Sequence, residues 1–347
     1  MTQQKTRVAA VGCGYWGPNL IRNLAYLPTV QLQALCDLDQ AKLDKMNTLY
    51  NPTYSTRKLE DILKDDEVEA VVIATPANTH FEVTEAALSA DKHVLVEKPI
   101  ALHEGEAAQL VRLARERQRI LMVGHTFQYN PAVNRVRQAV QSGELGEVIY
   151  AYLTRVNLGI IRDDLNVMWN LAPHDISILL WTLGSLPTRV SARGFSPLRP
   201  DSKLEDIVFM VLEFANGTVA HIHASWLDPN KTRQATFVGT EKMIVYDDVD
   251  PQRKVQIFDK GVVRPDSPPS FGEFQLTIRE GDILIPRLPT TEPLKAEVQH
   301  FIECVQGGKI PHSDGINGWQ VVRILEAGDQ SIDQLGKVIE LDWSQTP

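Results

Sequence analysis

The run Gly12-Cys13-Gly14-Tyr15-Trp16-Gly17 has the G-x-G-x-x-G spacing of a loop that cradles a dinucleotide. Each glycine answers a separate need. Gly12 permits a tight turn, Gly14 lets a pyrophosphate approach the backbone, and Gly17 lets helix and strand pack closely. The helix that follows would turn unpaired N–H groups and its positive dipole end toward the phosphates. Tyr15 and Trp16 lie in the loop and are taken, with the glycines, as cofactor-lining residues. Cys13 is read as a small side chain in a tight place rather than a redox group. Asp37 stands twenty residues beyond Gly17, where a carboxylate binds the adenosine ribose hydroxyls. It would repel a 2′-phosphate, and residues 38–42 (LDQAK) hold no arginine to attract one. NAD is therefore expected over NADP. The competing role for Asp37 is a surface cap on the next helix.

Two other segments place polar residues where apolar runs stop. One is Ala74-Thr75-Pro76-Ala77-Asn78-Thr79-His80, and the other is Glu97-Lys98-Pro99. In a doubly wound sheet the carboxyl ends of strands line the ligand crevice. Thr75, Pro76, Asn78, His80, Glu97 and Lys98 are therefore expected along the cofactor, although an early-helix place makes a structural role the favoured one for His80. Lys98 would bring its charge to a substrate oxygen, and Glu97 could hold a ribose hydroxyl. A Glu-Lys pair is solvated in most sequences, but rarely ends a strand as apolar as VLV. His125 ends another apolar run, ahead of Phe127, Tyr129 and Asn130; crevice lining and plain packing are both open for it.

The elements that would position these residues alternate. Strands are predicted at 6–11, 31–36, 69–74, 93–99 and 120–127. Helices lie between them: one to about Tyr26, one at 39–48, one from near Asn78 as its N-cap, and one at 103–117. That alternation indicates a parallel, doubly wound sheet. The pattern changes after about residue 145. A long strand at 147–156 is followed by a helix over 173–183 with Pro173 at its first position. Strands then follow one another at 188–194, 206–214, 217–226, 232–239 and 242–247, with Asn216-Gly217 as a hairpin turn. Residues 261–292 read as an irregular, proline-rich loop. Helical stretches at 293–306 and 317–334 come last and can pack back on the first domain. The fold class is thus α/β: a Rossmann domain over 1–127, then an α+β domain over 128–347 with a mainly antiparallel open sheet.

Composition bounds the function. A length of 347 residues suits two domains, and a net charge of −9 argues against a broad nucleic-acid surface. No stretch approaches the ~18 apolar residues of a membrane span, and the first residues lack the pattern of a secretory leader. A cytoplasmic protein is expected. Cys13, Cys36 and Cys304 are scattered, with no disulfide or zinc spacing, and no metal is expected.

Taken together, the chain resembles the Gfo/Idh/MocA oxidoreductases, which include glucose–fructose oxidoreductase and inositol dehydrogenase. VGCGYWG at 11–17, Asp37, ATPANTH at 74–80, EKP at 97–99 and His174-Asp175 carry the resemblance, in the family's order over nearly the whole chain. The resemblance implies a second domain whose open sheet mediates oligomer contacts, so a homodimer or homotetramer is expected. It implies Lys98 as the active-site lysine, often followed by a cis proline bond. The family usually carries an Asp and a His four residues apart on one helical face of the second domain. His174 matches the histidine, but Asn170 stands where the Asp would be. An Asn can hydrogen-bond a sugar hydroxyl; it cannot stabilise an imidazolium by charge or accept a proton. NLAPHDISILL, HTFQYNPAV at 125–133 and RVNLG at 155–159 are similar to a narrower branch, the nucleotide-sugar 3-dehydrogenases, which oxidise the C3 hydroxyl of UDP-N-acetylglucosamine or its uronate.

On that resemblance His174 is the candidate base for the hydroxyl proton, since imidazole titrates near neutral pH. Lys98 would stabilise the developing alkoxide; the reverse assignment stays open. Arg155, Asn157 and Arg162 are candidate anchors for a charged substrate, because guanidinium binds oxyanions bidentately. Arg155 and Asn157, two apart, would share a strand face. Arg162 precedes Asp163 and Asp164, so a surface ion pair is equally open. Tyr129 and Trp169 join the substrate candidates, with simple packing as the alternative. His221 and His223 are read as a sheet face or subunit contact. Three functions remain: a C3 dehydrogenase of a UDP-N-acetylhexosamine or its uronate; a dehydrogenase or ketoreductase of a free sugar, an inositol or a dTDP-keto-sugar; and a non-catalytic dinucleotide-binding regulator. The last loses ground because Lys98 and His174 are both present.

Overall fold

The computed structural model describes residues 5–159, 161–202, 204–263 and 277–347. The chain divides into two compact units. One comprises Met1–Tyr129, Thr291–Glu326 and Trp343–Pro347; the other comprises Asn130–Thr290 and Ala327–Asp342.

In the first unit the chain runs β1 (Thr6–Val11), α1 (Gly17–Tyr26), β2 (Val30–Cys36), α2 (Gln40–Tyr50), β3 (Tyr54–Thr56), α3 (Leu59–Leu63), β4 (Ala70–Ile73), α4 (His80–Ser89), β5 (His93–Val96), α5 (Glu104–Glu116) and β6 (Leu121–Val123). The six strands form one parallel sheet in the order β3-β2-β1-β4-β5-β6. β4 (AVVI) is buried at every residue, as a parallel strand covered on both faces requires. The order reverses between β1 and β4, and there the strand ends open a ligand crevice.

β6 is shorter than the predicted 120–127, because Gly124 leaves the sheet and a 3₁₀ turn begins at Thr126. α4 begins at His80 with Thr79 at its N-cap, and Asn78 lies in the 3₁₀ turn Ala77–Thr79 before it. Asn78 is therefore not the helix cap. β3 and α3 are short elements that the apolar pattern does not reveal.

In the second unit the order is α6 (Pro131–Gln141), β7 (Val148–Val156), α7 (Val167–Leu183), β8 (Pro187–Phe195), β9 (Ile207–Phe214), β10 (Val219–Ser225), β11 (Thr232–Gly239), β12 (Met243–Asp247), β13 (Val255–Val263) and β14 (Thr277–Leu284). Back in the first unit, α8 (Pro293–Gly307) packs Leu294, Val298, Phe301 and Ile302 into the cluster formed by Ile21, Leu24 and Leu35. α9 (Gly315–Asp333) and β15 (Ile339–Glu340) complete the chain.

The second sheet has nine strands in the order β14-β13-β12-β11-β7-β10-β9-β8-β15. It is antiparallel except where β10 meets β7. α7 lies over β7, β9 and β10. The opposite face shows Tyr150, Tyr152, Phe209 and Val219 to the outside, with Phe209 stacked on His223 at 4.5 Å.

Two expectations change here. α7 begins at Val167, not Pro173, because Asn166 caps it by accepting from the Trp169 N–H at 3.0 Å. Met168, Trp169 and Ala172 then continue its buried face, and Pro173 sits inside the helix. The segment expected as a loop from 261 to 292 contains the end of β13 and all of β14; residues 264–276 lie outside the described residues. Among the described residues no helix is long and apolar enough to cross a membrane.

Candidate active site

One row of paired residues crosses the parallel sheet: Thr56, Cys36, Val11, Ile73, Val96 and Val123. The next residues along each strand are Arg57, Asp37, Gly12, Ala74, Glu97 and Gly124. The sequence candidates of this unit thus gather along one edge because their strands end in register.

The glycines divide the work. Gly12 has φ +100°, and a Cβ there would lie 2.6 Å from the Ala74 carbonyl group. A Cβ on Gly17 would collide with the Gly12 carbonyl oxygen, whereas one on Gly14 would meet nothing within 4 Å. Gly12 and Gly17 therefore serve close backbone packing. Gly14 leaves the open approach that a pyrophosphate needs.

Asp37 accepts the Cys13 N–H at 2.6 Å through Oδ2 and the Asp39 N–H at 2.8 Å through Oδ1. The helix cap is Asp39, which accepts from Ala41. This removes the competing role for Asp37 and fixes its charge beside the glycine loop. Arg57, exposed, donates to the Leu38 carbonyl at 2.8 Å. It arrives from β3, so a search of residues 38–42 could not find it.

His80 is 2% exposed, with Nδ1 2.7 Å from the Pro99 carbonyl and Nε2 2.9 Å from the Thr75 carbonyl. Its ring joins the loops after β4 and β5 and has no edge for a cofactor, which corrects its cofactor assignment. Thr79 donates to Thr75 Oγ1 and lies equally close to the Pro76 carbonyl, both at 2.8 Å. Pro76 and Asn78 are exposed.

Lys98-Pro99 is a cis peptide. The Glu97 carboxylate lies against Gly124, where a Cβ would stand 3.0 Å from its Cδ. It accepts the Lys98 backbone N–H at 3.3 Å and the Trp16 indole N–H. Trp16 thereby ties the glycine loop to the EKP segment, while Tyr15 is 89% exposed. Burial pushes the Glu97 carboxyl up to about 7, against the lowering pull of Lys98. His125 is 1% exposed, neither ring nitrogen has a hydrogen-bond partner among the described residues, and burial, helped by the Lys98 charge, pushes its ring down to about 3. His125 is thus neutral and faces the same charge as Glu97.

Glu297 on α8 is a residue that sequence reasoning missed. It is wholly buried and accepts the Thr126 hydroxyl at 2.8 Å. A signal existed: Leu294, Glu297, Val298 and Phe301 fall at helical spacing on one buried face, and a carboxylate there breaks the apolar pattern. Tyr129 is not a substrate residue. It is 8% exposed, its hydroxyl lies 3.2 Å from Ser313 Oγ, and its ring belongs to the core of this unit.

In the second unit, Asn170 and His174 are half-buried and one turn apart on α7. The neighbouring Asp175 points inward and holds Arg155 by three contacts of 2.8–3.1 Å. Arg155 and Asp175 are 4% and 2% exposed, so Arg155 is a buried structural cation and not an anchor for substrate. Asn157 lies past the end of β7 and shares no strand face with it. Arg162 forms the surface pair with Asp164. Trp169 is 6% exposed and donates to Asp329 at 2.6 Å, which places it in the packing. Among the described residues no cluster of three or more His, Cys, Asp or Glu is arranged to hold a metal.

The open approach at Gly14 and the fixed carboxylate of Asp37 fit a dinucleotide. Residues 6–125 match the oxidoreductase family with an NAD-binding Rossmann fold, and residues 133–245 match the Gfo/Idh/MocA C-terminal domain. The chain is 27% identical over 259 residues to UDP-N-acetylglucosamine 3-dehydrogenase of Acidithiobacillus ferrooxidans, covering 74% of this chain and 76% of that one. It is 24% identical over 353 residues to inositol 2-dehydrogenase of Corynebacterium glutamicum, covering 98% and 97%. GenD2 from gentamicin A biosynthesis, solved in complex with NAD, superposes with a TM-score of 0.81 at 25% identity, covering 99% and 98%. With both domains matched, the chain belongs to the Gfo/Idh/MocA family of NAD-dependent oxidoreductases.

Proposed function

We propose that this oxidoreductase oxidises a sugar secondary alcohol to the ketone, with C3 of a UDP-N-acetylhexosamine or its uronate as the favoured position and NAD as the favoured cofactor. The observation that carries the reading is the row of strand ends. Asp37 follows β2, Gly12 follows β1, and Glu97 and Lys98 follow β5, two strands beyond β1. At ~4.8 Å per strand, Lys98 stands about 10 Å across the sheet from the pyrophosphate turn. An extended dinucleotide with its adenosine at Asp37 would bring its reactive end to Lys98.

Oxidising a secondary alcohol removes a hydride and a proton. The nicotinamide, when bound, supplies the hydride acceptor. His174 is assigned the hydroxyl proton. Lys98 is assigned the developing negative charge on the substrate oxygen. Glu97 is assigned a ribose hydroxyl. The nucleotide-sugar preference rests on the 27% identical relative rather than on Arg155 or Arg162, since both are engaged by aspartates. The preference for NAD rests on Asp37, and the exposed Arg57 beside it is a cation that could offset that preference. The exposed face with Tyr150, Tyr152 and Phe209 supports a homo-oligomer built by sheet packing.

The test is near-UV absorbance of the protein with NAD and, separately, UDP-N-acetylglucosamine, its uronate, free glucose and inositol. Reduced nicotinamide formed only with a UDP-sugar supports the reading. Signal only with inositol would move the substrate to the polyol class of the second relative. Tight NAD binding with silence on all four would favour the regulator.

A further inference from the structure

Glu97 and Glu297 come from different ends of the chain and act on one another electrostatically inside the first unit. Glu97 leans on Gly124, and Glu297 accepts from Thr126, so the two carboxyls flank the short segment Gly124-His125-Thr126. Their surroundings are unequal. Glu97 has two N–H donors, from Trp16 and the Lys98 backbone, and the Lys98 charge beside it. Glu297 has one donor, and its Oε1 meets none among the described residues. A buried carboxylate without donors on both oxygens is costly, whereas the neutral acid has less to satisfy. Two carboxyls that repel one another through the interior also resist ionising together.

We propose that the pair carries at most one negative charge, which resides on Glu97, while Glu297 keeps its proton; Glu297 is thereby a positioning residue that leaves Glu97 to hold Lys98 in its protonated form. The other groups facing the pair agree with this. His125 is neutral, and Tyr129 is pushed up by burial and by the Glu297 carboxyl, so neither supplies a balancing cation. Burial and the Glu97 charge push Glu297 well above the ordinary carboxylate range. The role toward Lys98 rests on the function proposed above. The location of the proton does not.

Infrared spectroscopy of the full chain at mildly alkaline pH tests the proton directly. A carbonyl stretch from one protonated carboxyl is expected, absent in Glu297→Gln and retained in Glu97→Gln. Absence of that band in the wild-type protein, or its survival in Glu297→Gln, overturns the proposal and needs no turnover to read. A band lost in Glu97→Gln but not in Glu297→Gln places the proton on the wrong partner and also overturns it. Should Glu297→Gln not fold, titration of the wild-type band decides: it must vanish only well above neutral pH. The pH profile of turnover reads the positioning role. Its alkaline limb should stay in place in Glu297→Gln, a neutral group replacing a neutral acid, and fall by a pH unit or more in Glu97→Gln, which removes the charge that holds Lys98 protonated; a limb that moves in Glu297→Gln, or stays put in Glu97→Gln, refutes that role. A correct band pattern with full turnover in Lys98→Ala would leave the pair standing and refute the function.

Discussion

Removing the negative half of the Arg155–Asp175 pair separates a structural role for Arg155 from a substrate-binding one. In Asp175→Asn the shape is kept and the charge lost. Arg155 stays 4% exposed and charged; its contacts to one oxygen can survive on a neutral acceptor, while contact with the other is lost, because an amide NH2 donates and cannot accept. Leaving one partner of a buried pair costs about 3–5 kcal/mol. Asp248 faces Arg155 electrostatically, but it accepts from Tyr246 at 3.0 Å and pairs with Arg233 and Lys254. It offsets part of the loss and sets the expectation near the lower bound, about 3 kcal/mol. At ~2–4 °C per kcal/mol for a unit of this size, the melting transition should fall by roughly 6–12 °C.

Scanning calorimetry is the assay, because it can separate transitions of two units that unfold independently. The double variant Arg155→Met/Asp175→Leu should recover most of the loss, since apolar replacement of both partners is often neutral or stabilising. The reasoning is refuted if Asp175→Asn melts within about 1 °C of wild type while KM for a UDP-sugar rises. Arg155 would then be holding substrate, and the pair would contribute little to the fold.

Lys98→Ala should leave NAD binding, read by fluorescence titration, within a few-fold of wild type and lower kcat by roughly 10²–10³, the cost of removing one donor to a developing oxyanion; near-normal turnover would sink its role. Asp37→Ser should raise kcat/KM for NADP by roughly tenfold or more, because a like charge at ~4 Å costs about 1–4 kcal/mol; an unchanged NADP/NAD ratio would show that Asp37 does not discriminate. His125 takes a proton near 6.5 when unfolded but only near 3 when folded, so its stabilising contribution is full above pH 6.5 and is lost as pH falls toward 3. His125→Phe should therefore flatten the acid side of the stability profile by about 1.4 kcal/mol per pH unit, measured by urea unfolding between about pH 6 and 4; superimposable slopes would remove His125 as the cause.

What is legible in the sequence depends on distance along the chain. The glycine loop, Asp37 and the EKP segment can be read because each is a local spacing next to an apolar strand. The start expected for α7 falls too late because Pro173 favours a first helical position, whereas the helix is capped by Asn166 and carries Pro173 in its interior.

Contacts between distant segments leave no local trace. Asp175 lies 20 residues from Arg155, and a strand-face argument cannot show that the guanidinium is already engaged. Glu297 lies 171 residues from Thr126. Its place on the apolar stripe of α8 is readable, but the carboxyl that acts on it is not. β14 reads as polar (TIREGDIL) because it lies at the sheet edge, where alternation is weak. α6 carries Ala132, Val133, Val136 and Ala139 at helical spacing and is legible, though it is not among the predicted elements.

The polar residues at the strand ends fall into two groups with different consequences. His80, Trp16 and Thr126 bond to neighbouring loops or to a carboxyl, so they hold the edge of the sheet in shape before any ligand arrives. Gly14 instead shapes the space that a dinucleotide would meet, and Asp37 does both, since it accepts the Cys13 and Asp39 N–H groups while presenting its charge to the cofactor. Substitutions in the first group should loosen the edge and lower stability and NAD affinity together. Substitution of Asp37 should change which cofactor is preferred, with a fall in melting from the lost backbone bonds but no parallel fall in NADP use. A strand-end residue can thus be sorted by whether affinity and stability move together, which sequence position alone does not reveal.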